Sequence, residues 1–219
     1  LNPQENAGKY FDRYRKLKRT AEALADQTAL VKSDIAHLES IEEALSIART
    51  EADLKEIREE LALSGYIRSA PSGKANSKSR SEKSAPLHYR TKESFDGAGP
   101  FDLYVGKNNL QNDRLTFHFA NGGDWWFHAK KAPGSHVILK TDGRKEDEIP
   151  DHVFELAAAL AAWYSAAKEQ TLVEVDYVRR KEVKKPAGAR PGFVVYYTNY
   201  SMVIRPQIEE LEEVPESSS

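Results

Sequence analysis

The sequence predicts an α+β protein: a long coiled-coil-type helix and a short helix, then a mostly antiparallel sheet of about six strands with one long helix. Three observations predict it. Apolar residues near the start recur at alternating spacings of three and four, and the second half carries short aromatic and β-branched runs between Gly, Pro and Asn. A single Ala-rich stretch of helical length interrupts those runs.

The first helix opens at Asn2-Pro3-Gln4-Glu5, where Asn2 caps, Pro3 suits the first helical position and Glu5 is the capping-box acid. Tyr14, Leu17, Ala21, Leu24, Thr28, Val31, Ile35 and Leu38 then form a heptad stripe. Its seam is Leu17, Leu24, Val31, Ile35 and Leu38. The register slips near Ile41, and Leu45 and Ala48 continue it one residue out of phase. Thr50 and Asp53 mark a second capping box, Leu54, Ile57 and Leu61 a short amphipathic helix, and Gly65 its end. Residues 1–68 therefore form a coiled-coil segment. One helix cannot bury its own seam, so a partner helix is needed from this chain, another copy or a missing segment.

Residues 69–94 predict a flexible basic linker: from Pro71 to Lys92, Lys74, Lys78, Arg80, Lys83, Arg90 and Lys92 face Glu82 alone, without periodicity. Such a coil spans roughly 25 Å. Residues 95–206 read as the folded α+β domain. Strands are expected at 101–105, 115–120, 125–129, 136–140, 172–178, 193–198 and 202–205, with Asn121-Gly122-Gly123-Asp124 as a hairpin turn. Pro150 and Asp151 open a helix to about Lys168. Residues 207–219 read as a frayed acidic tail.

Lys and Arg number 32 against 34 Asp and Glu, a net charge of −2, so any polyanion must be met by a local patch. The chain has no Cys, which excludes disulfides and thiol chemistry and fits a reducing cytoplasm. No apolar stretch is long enough for a membrane span, and no signal pattern opens the chain. A start at Leu1 suggests a piece of a longer protein.

Three polar clusters are candidate binding surfaces. In the run 106–114, Lys107, Asn108, Asn109 and Arg114 offer groups for phosphates, sugars and base edges, or the amides merely build turns. In the run 124–136, alternation puts Asp124, Trp126, His128 and Lys130 on one face, with His136 beyond. That face suits a single-stranded nucleic acid, unless Trp126 is core. In the run 179–192, Arg180, Lys181, Lys184, Lys185 and Arg190 lie on a Pro/Gly-rich loop whose natural ligand is a polyanion, unless the loop is simply solvated. His128 and His136 match no metal-ligand spacing, Ser135-His136 lacks a nucleophile elbow, and no cofactor motif is present. A binding module, and not an enzyme, is expected.

Taken in order, FDLYVGKNNLQND (101–113), DWWFH (124–128), PGSHVIL (133–139) and KKPAGARPG (184–192), with Val194, Val195 and Tyr196, resemble the NFACT-R domain. NPQENAGKYFDRYRKLK (2–18) resembles the returning helix of the same proteins' coiled-coil middle domain. These are bacterial RqcH proteins, often called fibronectin-binding protein A-like. The resemblance implies recognition of obstructed large ribosomal subunits and recruitment of alanyl-tRNA for C-terminal alanine tailing. Transfer RNA and the large subunit are then the partners, with the ribosome doing the chemistry. The alternative is a surface adhesin that binds fibronectin. The chain lacks the family's N-terminal, helix-hairpin-helix and outgoing-helix regions, so tailing is not expected of it alone, and self-association through the unpaired seam is.

Overall fold

The computed structural model describes residues 2–68, 84–92 and 99–215. It divides into two compact units, Leu1–Glu39 and Ser40–Ser219. Helix α1 runs Pro3–Ile47. Its start is closed as the sequence predicts: the Glu5 amide donates to Asn2 Oδ1 at 2.8 Å and the Asn2 amide to Glu5 Oε2 at 3.2 Å. Within the first unit the seam residues Leu17, Leu24, Val31, Ile35 and Leu38 are 42–61 % exposed.

The second unit begins where the stripe changes phase. Ile41 and Ala44, at the end of α1, bury against Ile57 of α2 (Glu51–Leu63), with Ala48, Leu61 and Tyr66 around them. The register slip thus marks where α1 turns its apolar side onto α2. Leu45, expected to continue the stripe, is exposed. Helix α2 opens on the predicted Thr50–Asp53 capping box, and Gly65, at φ 78°, follows its C-cap Ser64 in the left-handed conformation that favours glycine. Leu54 is exposed, however, and the buried face of α2 is Asp53, Glu56, Ile57 and Glu60.

The rest of this unit is a seven-stranded antiparallel sheet in the order β6-β5-β3-β4-β2-β1-β7. The strands are β1 Leu87–Thr91, β2 Asp102–Val105, β3 Trp125–Ala129, β4 Val137–Leu139, β5 Val173–Arg179, β6 Tyr200–Ile204 and β7 Leu211–Glu213. Alternation along β3 sends Trp125, Phe127 and Ala129 to one face, where α4 (Asp151–Trp163) covers them with Val153, Ala157 and Ala161. Trp126, with Ile138 and Val178, faces the other way under Leu115 and Val183. Both faces of the central strands are therefore core.

Several boundaries differ from expectation. β1 lies inside the span assigned to the linker, because Leu87 and Tyr89 bury on the sheet and Thr91 ends the strand. β7 lies inside the span assigned to the tail, where Leu211 is buried and Glu213 accepts from Tyr89 Oη at 3.2 Å. The remaining linker residues 69–83 and 93–94, and residues 216–219, lie outside the described residues. Residues 115–119 are not a strand. Helix α3 (Asn109–Arg114) runs into a π-helical turn, Leu115–Phe119, which the alternation of Leu115, Phe117 and Phe119 disguises as period two. Asn121–Asp124 consequently joins that turn to β3 and is no hairpin. Among the described residues, 193–198 make one isolated bridge, Val195 to Lys184, and form no strand. Helix α4 stops at Trp163, not near Lys168, because the Tyr164 carbonyl accepts from the Ser135 amide at 2.9 Å instead of continuing the helix.

Candidate nucleic-acid interface

The three polar clusters are largely taken up inside the protein, by α2, by neighbouring strands and loops, or by one another. Lys107 follows β2, and its ammonium lies 2.7 Å from Asp53 Oδ1, with side chains only 2 % and 1 % exposed. Asn108 caps α3 by accepting from the Gln111 amide at 2.8 Å, and its Nδ2 donates to Glu56 at 2.9 Å. Asn109 Nδ2 donates to Glu60 at 2.8 Å and to Ser40 at 2.7 Å, and Arg114 Nη2 to Glu56 at 2.6 Å. The three inward acids of α2 at helical spacing thus take up four side chains of this run, Glu56 holding both Asn108 and Arg114. Burial by itself pushes the Asp53 carboxyl up, but Lys107, the Ser84 hydroxyl and the Arg49 amide outweigh it and hold the carboxyl well below the usual range.

For Lys107, Asn108 and Asn109 this is a correction: they are buried in a joint between helix and sheet, where a ligand's phosphates do not reach. Arg114 is partly buried and occupied by Glu56. The second cluster is also interior. Trp126 is 1 % exposed, which makes it core, and its ring stacks on the His128 imidazole, 9° from parallel. His136 is buried; its amide donates to Asn112 Oδ1 at 3.0 Å, and its Nδ1 lies 2.8 Å from Thr116 Oγ1. Burial, with the neighbouring His128, pushes the His136 imidazole well below its ordinary value. Lys130 is partly exposed and held by Glu174 at 2.6 Å.

The third cluster splits in two. Arg180 donates to the π-turn carbonyls of Thr116 at 2.5 Å and Phe117 at 3.2 Å, so it closes that turn. Lys185 lies 2.9 Å from Asp113, and Arg190 donates to Tyr66 Oη at 3.0 Å. Gly192, at φ 76°, sits so close to Asn109 that a Cβ there would lie 2.4 Å from its Oδ1. Lys181 and Lys184, by contrast, point to solvent, and among the described residues neither ammonium has a carboxylate partner. Their backbones are fixed: the Lys181 amide donates to the Gly122 carbonyl, and Lys184 exchanges both backbone bonds with Val195.

Beside them stand two aromatics that the sequence assigns to a strand. Phe193 is 57 % and Tyr197 89 % exposed, although Val194 and Tyr196 between them pack on the core around Trp126. The alternation of Phe193, Val195 and Tyr197 against Val194 and Tyr196 is the signal that could have found them. Period two predicts a strand there, and it equally implies that every second ring faces outward. Two free lysines and two exposed rings on an anchored loop are the groups that grip phosphates and stack bases.

Comparison with known proteins gives the family. Residues 1–81 match the NFACT N-terminal and middle domains, and residues 88–197 match the NFACT protein RNA binding domain. The chain is 37 % identical over 212 residues to the Rqc2 homolog RqcH of Streptococcus suis, covering 97 % of this chain and 36 % of that protein. It is 34 % identical over 215 residues to the Rqc2 homolog RqcH of Bacillus subtilis, covering 98 % of this chain and 35 % of that one. It therefore spans about a third of the length of the curated relatives it matches. Among solved structures, the C-terminal part of the fibronectin/fibrinogen-binding protein from Streptococcus suis matches with a TM-score of 0.76 at 38 % identity, over 96 % of this chain and 78 % of that chain.

Proposed function

Because this chain belongs to the RqcH group of the NFACT family, we propose that it is the RNA-gripping part of a ribosome quality-control factor. In this reading it binds obstructed large subunits and helps to recruit alanyl-tRNA for alanine tailing, in the cytoplasm, without changing a covalent bond itself. No helix among the described residues is long and apolar enough to cross a membrane. The observation that carries the reading is the pairing of uncompensated Lys181 and Lys184 with exposed Phe193 and Tyr197, within the span that matches an RNA-binding domain.

Binding to tRNA and to large subunits should weaken steeply with salt, since each neutralised phosphate releases a counterion. Replacing Lys181 and Lys184 with Ala should flatten the slope of log affinity against log salt by about 1.5. An unchanged slope in a titration from low to physiological salt would sink the assignment. Replacing Lys107 cannot serve this test, since it disturbs the joint. Fibronectin is the second ligand to try, because the solved relative carries that activity in its name. Salt-insensitive binding to fibronectin with none to RNA would reverse the order of the two readings.

The exposed seam adds an expectation for the chain as it stands. Sedimentation should show concentration-dependent association through Leu17, Leu24, Val31, Ile35 and Leu38, abolished by Leu17→Asp with Leu24→Asp. A monomer at high concentration overturns it.

A further inference from the structure

The sheet separates two surfaces of opposite charge. Val183, Val194 and Tyr196 anchor the basic loop on the Trp126 face, whereas on the α4 face lies a cavity of about 370 Å³. Its rim carries three carboxylates: Glu146, Asp151 at the start of α4, and Glu155 one turn later. Its floor is Phe154, Tyr177, Tyr200 and Met202.

This floor is built before any ligand arrives. The Tyr200 ring stacks on Tyr177 at 5.4 Å, 27° from parallel, and both lean on Trp125. A cation already uses this aromatic system, because the Arg179 guanidinium sits 4.2 Å from the Trp125 ring centroid and 3.2 Å from Glu146. Glu155 lies 3.1 Å from the His152 imidazole, which Glu210 shares at 2.8 Å. Aromatic faces under a rim of carboxylates favour an organic cation and repel phosphate.

A second feature says how the cation is presented. β6 ends the sheet, so beyond its pairing with β5 its outer backbone edge meets no other strand among the described residues. Tyr200 and Met202 alternate on the cavity side of that strand, while Ser201 and Val203 point away. An extended segment added to this edge would run beside the cavity, with every second side chain able to enter it.

We propose that this cleft docks an extended Lys- or Arg-bearing segment of a protein partner. The segment lies along β6 and places one cationic side chain over Tyr200 and Tyr177, between Glu146, Asp151 and Glu155. The site is independent of the RNA-binding loop and its occupant has the opposite charge.

Met202 is the chain's only methionine, so labelling the whole protein with methyl-13C methionine gives one resonance, at the floor of the cleft. The probe is a blocked peptide alternating Lys and Val, about five residues long to match β6 at roughly 3.3 Å per residue. The expected result is a saturable shift of that resonance with the Lys peptide, and none with a Glu–Val peptide or with oligouridine. Glu146→Gln with Glu155→Gln should weaken the peptide about fivefold, and Tyr200→Ala about as much, with tRNA affinity unchanged in each. No shift with the Lys peptide, equal affinity in the carboxamide variant, or a shift with oligouridine overturns the proposal. A failure of RNA binding would appear instead in the tRNA titration, where these variants have no effect.

Discussion

Lys107→Ala is expected to destabilise the second unit by about 3–5 kcal/mol, because it leaves Asp53 buried without its counter-charge. Denaturant midpoints of the two proteins measure this directly. Removing both charges tests the cause. Lys107→Met with Asp53→Leu should recover most of the loss, retaining about 1 kcal/mol for the capping contact between Asp53 and Thr50. Acid titration supplies a check of sign. The folded-state pKa of Asp53 lies below its unfolded value, so its contribution is fully present above about pH 4 and is lost as pH falls toward the folded pKa. In Lys107→Ala burial is opposed by the Ser84 hydroxyl and the Arg49 amide alone, so that pKa should rise from its depressed folded value and less stability should be lost on acidification at this group. Equal midpoints, or parallel acid limbs, would show that the pair does not hold the joint.

That joint also shows where the sequence is legible and where it is not. Both helix starts are readable, because a capping box is a local arrangement: Asn2 with Glu5 and Thr50 with Asp53 both form. The two faces of β3 are readable too, since period two needs no tertiary knowledge. The inner face of α2 is not. Apolar periodicity nominates Leu54, Ile57 and Leu61, yet Asp53, Glu56 and Glu60 are the side chains that turn inward with Ile57. Only the later presence of Lys107, Asn108, Asn109 and Arg114 makes an acidic helix face an inner one, and that pairing spans roughly fifty residues of chain.

The same physics explains why site residues are partly misplaced by sequence reasoning. Amides and cations in a turn-rich run look alike whether they meet a ligand or an acidic helix. What separates the two is burial with a matched partner, as for Lys107, against exposure without one, as for Lys184. The motif-like runs 106–114 and 184–192 hold each other, because Asp113 takes Lys185 and Asn109 receives Gly192. They lock the loop in place so that Lys181, Lys184, Phe193 and Tyr197 can be offered to solvent. A rigid support places a binding surface more accurately than a solvated loop does.

Trp126→Ala should then cost stability and not contacts. The ring is packed among Leu115, Ile138, Val178 and Val183, with Tyr196 5.2 Å away, so truncation opens a cavity beneath the loop. Loss of a buried Trp costs about 3–5 kcal/mol, which denaturant unfolding should show. The contrast is Tyr197→Ala. That ring is 89 % exposed, so its removal should change stability by less than about 0.5 kcal/mol. If a base stacks on it, RNA affinity should fall by about 1–3 kcal/mol. Measured below its melting temperature at matched salt, Trp126→Ala should lose RNA affinity only as far as the loop above it loosens. Repairing the cavity with Trp126→Phe should restore both stability and binding together. A folded, stable Trp126→Ala protein with selectively weakened RNA binding would contradict the core assignment and make that ring the stacking platform.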